Sequence, residues 1–132
     1  MMNRQDAIRT TMLSFANEPF QYGTLDCCLF AAKVAEQITG IDYSAGFDNY
    51  TEDDAAEYIS QAGSLSGLVS KLLSRTPVDP DQLAIGDPVL VRIPVIGDVI
   101  GIVSTGSVIV KSNHGAMRIN LDRAVHGWSL DA

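Results

Sequence analysis

The stretch from Asp26 to Thr39, DCCLFAAKVAEQIT, constrains this chain more than any other segment. Wound as an α-helix it carries Cys27, Phe30, Ala31, Val34 and Ile38 on one face and Cys28, Leu29, Ala32 and Ala35 on another, so that only Lys33, Glu36 and Gln37 lead to water. A helix that is apolar nearly all round has to be buried, with other elements around it. Gly40 follows as a natural left-handed stop.

The flanking segments supply those elements. Ile8, Met12 and Phe15 recur at helical spacing from about Arg4 to Ala16, and Asn17-Glu18-Pro19 ends that helix because the residue before a proline avoids the helical region. Thr51 to Ala62 reads as a further helix, with Thr51 and Asp54 spaced as a capping box, and Leu65 to Leu73 as another beyond Gly63. After Pro77 the character changes. Pro88 to Ile93, Ile96 to Ser104, Ser107 to Lys111 and Ala116 to Leu121 are rich in Val and Ile and read as strands. Thr105-Gly106 and Asn113-His114-Gly115 are hairpin turns, which makes consecutive strands antiparallel. Helices first and an antiparallel sheet afterwards define an α+β fold, and 132 residues suit one domain, 1–132.

Composition narrows the partners. With nine Lys and Arg against sixteen Asp and Glu the net charge is −7 and the basic residues never cluster, so the chain has no footprint for a nucleic acid. Its longest apolar runs are too short for a membrane span, and its opening residues are polar, so it is expected to be made in the cytoplasm and to stay soluble. Cys27 and Cys28 are adjacent, which excludes a disulfide framework, and neighbouring helix residues point about 100° apart and cannot chelate together. We therefore expect neither a metal nor a cofactor.

Cys27 is the residue with the most chemical potential. A thiol in the first turn of a helix meets unpaired backbone N–H groups and the positive end of the helix dipole, and both favour the nucleophilic thiolate. The competing reading is a buried structural cysteine, and Cys28 belongs to the core on the same grounds. Asp26 and Thr24 read as N-caps of the helix. His114, in a turn, and His126, before Gly127-Trp128, are the two available bases, and Trp128 reads as an anchor of the last segment on the core.

The run Pro19-Phe20-Gln21-Tyr22-Gly23, with Asp26-Cys27 opening a buried helix, resembles the NlpC/P60 branch of the papain-like cysteine peptidases. Those enzymes carry an aromatic-x-aromatic-Gly loop, then Asp-Cys, then a small antiparallel sheet introduced by a Gly-Asp turn such as Gly86-Asp87. More closely, Tyr22-Gly23-Thr24-Leu25-Asp26-Cys27-Cys28-Leu29-Phe30-Ala31, with Thr39-Gly40-Ile41-Asp42 and Gly127-Trp128, is similar to short proteins encoded in phage tail gene clusters. The resemblance implies a papain-like NlpC/P60-type domain, other phage tail proteins as partners, and peptidoglycan as a substrate if activity is kept.

The departures from that pattern are specific. The base of the family is a His opening a strand written His-Val-Gly-Ile, and here the run is Val99-Ile100-Gly101-Ile102. The third polar residue falls at Lys111, and the loop position that is usually a tyrosine is Phe20. A thiol without a base lacks the group that takes and returns the proton of the leaving amine. The expected role is therefore that of a degenerate domain acting structurally or in binding, in the host cytoplasm during synthesis and then in the virion tail. An active hydrolase of stem peptides, with Cys27 as nucleophile and His114 or His126 as base, is the alternative. The Cys27 thiol is expected near the N-terminus of its helix, facing the strand that holds Val99.

Overall fold

The computed structural model describes residues 3–15, 24–43, 52–95, 97–112 and 115–131. Among them four helices precede a five-stranded sheet: α1 (Arg4–Phe15), α2 (Thr24–Thr39), α3 (Glu52–Ala62), α4 (Leu65–Leu73), β1 (Pro88–Ile93), β2 (Gly97–Ser104), β3 (Ser107–Ser112), β4 (Gly115–Asn120) and β5 (Ala124–Gly127). Every pairing is antiparallel and the strand order is β4-β3-β2-β1-β5. This is the α+β arrangement read from the sequence, with two short 3-10 turns, Pro80–Gln82 and Leu121–Arg123, and β5 added to it. No helix among the described residues is long and apolar enough to cross a membrane.

The buried-helix argument holds in detail. No residue between Cys27 and Thr39 is fully exposed, and Cys27, Cys28, Phe30, Ala31, Val34 and Ala35 are buried. The helix lies chiefly on β2, reaches β3 and β1, and is flanked by α1. Gly40, at φ 82°, closes it and donates its amide to the Glu36 carbonyl at 2.7 Å. The N-terminal boundary differs from the expected one, because α2 begins at Thr24 rather than Asp26. Thr24 and Asp26 are thus inside the first turn and cannot be the N-cap. Gly23, before the helix, and Thr51 of the expected capping box lie outside the described residues.

Helix α4 matches its expected bounds and shows why the chain turns where it does. Ser64 caps it, its hydroxyl accepting from the Gly67 amide at 2.9 Å, and Ser74 ends it in the left-handed region at φ 54°. In β2 every residue from Val99 to Ser104 is buried, on both faces of the strand. Gly101 makes that possible: a Cβ there would sit 2.5 Å from Val108 Cγ1 and 2.9 Å from Val110 Cγ2, so the valines of β3 lean across the bare backbone.

The Gly86-Asp87 turn proves to be the joint of the molecule. Asp87 is fully buried. Its Oδ1 accepts from Arg4 Nη1 at 2.8 Å and from the Leu130 amide at 3.0 Å, and its Oδ2 accepts from the Ala84 amide at 2.8 Å. Arg4 also donates to the Ile85 carbonyl at 2.8 Å and to Asp131 Oδ1 at 2.7 Å. The turn needs glycine at 86, where φ is 92° and a Cβ would lie 2.6 Å from Ile38 Cδ1 of α2.

Substitutions at two positions test this arrangement. Val34 is wholly inaccessible, and Val34→Asp should cost more than about 4 kcal/mol in urea denaturation, because its carboxylate would be buried without a partner. A mutant that melts with the native protein would make α2 a surface helix. Asp87→Ala should cost about 3 kcal/mol, since it removes one of the three acceptors of Arg4 and leaves two amides unpaired, whereas Asp87→Asn keeps an acceptor and should lose less. Equal losses in the two variants would show that the charge, and not the set of hydrogen bonds, holds the joint.

Candidate functional site

Cys27 is the fourth residue of α2 and closes its first turn, so the expected position near the helix N-terminus is the observed one. Its side chain is 1% exposed. Cys28, one position round, is walled by Ala31, Val69, Leu73, Pro88 and Ile100 beside a cavity of about 20 Å³, room for one water at most. Burial pushes the Cys28 thiol well above its ordinary value, and the neighbouring Cys27 adds to the shift. That residue is a core thiol.

Strand register decides which side chains meet the helix layer. Ile100 lies across from Leu90 and lines the cavity beside Cys28, so its face of β2 is the one that α2 covers. Side chains alternate along a strand, which places Val99 on the opposite face together with Gly101. The residue that stands where the NlpC/P60 pattern has its base is therefore apolar and turned from the helix layer. Lys111 shares the parity of Ile109, which pairs with Ile102, so it belongs to the helix-covered face, where it is 5% exposed. Phe20, Tyr22, Gly23 and His114 lie outside the described residues, and of Asp26 only the backbone is described, within α2.

His126 occupies β5, across from Leu90. Its Nε2 is 2.7 Å from Ser66 Oγ on α4, and its ring meets Trp128 edge-on, with centroids 5.4 Å apart and planes at 84°. Its hydrogen bond thus goes to Ser66 rather than to Cys27. Trp128 is fully buried and donates its Nε1–H to Ser70 Oγ at 2.8 Å, which bears out its reading as an anchor. Near His126, Asp98 is held below the usual carboxylate range, first by the hydrogen bond from Arg92 and, more weakly, by the charge of His126. The serine partners carry no signal in the sequence, where Ser66 and Ser70 read as the polar side of a helix.

Two further features complete the surface. A groove of about 830 Å³ runs between α3 and α4, walled by Tyr43, Tyr58, Leu68, Leu72, Lys71 and Arg75, and Cys27 does not line it. Among the described residues no three His, Cys, Asp or Glu side chains converge as a metal site would require.

Over residues 1–130 the chain matches the model of a family described as Domain of unknown function (DUF6950). No curated protein matches it.

The buried thiol of Cys28 gives a pH test. Its folded-state value lies above the unfolded one, so the stabilisation from keeping the thiol neutral is complete below about pH 8.5 and is lost as pH rises beyond that toward the folded value. Stability of the native protein should therefore fall on the alkaline side more steeply than that of Cys28→Ala. Parallel curves in urea titrations from neutral to alkaline pH would remove Cys28 from the core.

Proposed function

We propose, for a chain that belongs to the DUF6950 family, a phage tail-associated role in which a papain-like NlpC/P60-type domain acts structurally or in binding and Cys27 no longer cleaves stem peptides. The observation that carries this reading is the state of Cys27: 1% exposed at the opening of α2, while the described histidine is bound to Ser66. A nucleophile has to be reached by its substrate and by a base in hydrogen-bond range. The order of elements supports the family resemblance, with a buried cysteine helix laid on an antiparallel sheet that is introduced by Gly86-Asp87. Val99, on the far face of β2, supports the loss of activity. On this reading the protein is made in the host cytoplasm and ends in the virion tail, with other tail proteins as its partners.

Three measurements test the proposal. Purified protein should release nothing from peptidoglycan fragments above a buffer control, and Cys27→Ala should be incorporated into tails as the native protein is, at a stability cost of about 1 kcal/mol for one small buried group. Alkylation of Cys27 should be slow, because the thiol is enclosed. Fast alkylation near pH 6, lost in His114→Ala or His126→Ala and accompanied by cleavage of a stem peptide, would establish the hydrolase instead.

A further inference from the structure

A serine hydroxyl becomes a nucleophile when a base stands ready to take its proton. Ser66 is the second residue of α4, and the first-turn amides of a helix have no acceptor inside it. The Ser64 cap takes two of them, its hydroxyl from Gly67 and its carbonyl from Leu68 at 3.0 Å, while among the described residues the amides of Leu65 and Ser66 have no acceptor. From β5, His126 brings Nε2 to 2.7 Å from the Ser66 hydroxyl oxygen. The imidazole is oriented by packing, its ring set edge-to-face against a tryptophan that is buried and pinned to Ser70. Ser66 and His126 both remain partly open to solvent.

We propose that Ser66 and His126 form a nucleophile–base pair that takes an acyl group from small uncharged carboxylic esters. In the tautomer with its proton on Nδ1, His126 accepts the hydroxyl proton at Nε2 as Ser66 Oγ bonds to the carbonyl carbon. The oxyanion formed lies next to the opening of α4, where the Leu65 and Ser66 amides supply donors. The ester C–O bond then breaks, the imidazolium returns its proton to the departing alcohol, and the acyl group remains on Ser66. Water, deprotonated by His126 in turn, releases the acid and restores the hydroxyl. Anionic esters are disfavoured by the charge of −7. The pair owes nothing to Cys27, so this site and the reading above stand or fall separately.

The test is acetylation by p-nitrophenyl acetate, followed as nitrophenol release and as intact mass, with the modified residue found by peptide mapping. The acetyl group should map to Ser66. Ser66→Ala should abolish that label, and His126→Gln should slow it by about 100-fold or more. Ser66→Cys, which restores a nucleophile beside the imidazole, should be acylated in its turn and at a rate that falls when His126→Gln is added, an outcome that a merely structural serine would not give. Thermal melts of each variant separate loss of chemistry from loss of fold. Acetylation confined to lysines or to Cys27, or an undiminished rate at Ser66 in folded His126→Gln, would overturn the proposal.

Discussion

The Arg4–Asp87 pair is the interaction on which the rest of the structure depends. A buried carboxylate is costly unless every lone pair has a donor, and Asp87 is supplied from three directions: α1, the Ala84 turn and the segment after β5. Its own backbone continues the joint, since the Val103 amide donates to the Asp87 carbonyl and the Gly86 amide to the Val103 carbonyl. The start of β1, the end of β2 and the first helix are thereby set relative to one another around one residue. The position of α2 follows, because Ile38 fills the space that Gly86 leaves vacant.

With α2 so placed, the chemistry of its opening turn follows from packing. The helix, apolar nearly all round, packs on β2, β3, β1 and α1, and Cys27 in its first turn is buried. Helix-terminal polarity favours a thiolate, but enclosure keeps a substrate away and favours the neutral thiol. In this molecule the thiol is 1% exposed and out of a substrate's reach. Meanwhile the imidazole on β5 belongs to a different neighbourhood, facing α4 rather than the opening of α2.

How much could be read beforehand depended on the range of the interaction. The burial of α2, the span of α4, the strand at Pro88–Ile93 and the Thr105-Gly106 hairpin are local in sequence, and each was legible from periodicity and turn chemistry. Strand β5 was not, because AVHG is four residues long and is held by partners far away in the chain, Leu90 on one side and Val78 on the other. Arg4 and Asp87 are 83 positions apart and Ser66 and His126 are 60 apart, so neither pair leaves a pattern in the sequence. The start of α2 was misplaced because Asp26 reads as a cap although the helical turn already includes it. At the site, Cys27 and its position at the opening turn were legible, whereas the engagement of His126 by a helical serine was not.

The two serines of α4 have a consequence for the register of β5. One turn of helix from Ser66 to Ser70 advances about 6 Å, and the two-residue step from His126, in β5, to Trp128, just past its end, advances about 6.7 Å when extended, so the two repeats are nearly commensurate. Helix and strand act as matched rulers, with a mark on each at the same interval. A slip of β5 by a single residue would turn both rings to the other side of the sheet and leave both hydroxyls without partners, so the short strand can settle against α4 in one alignment.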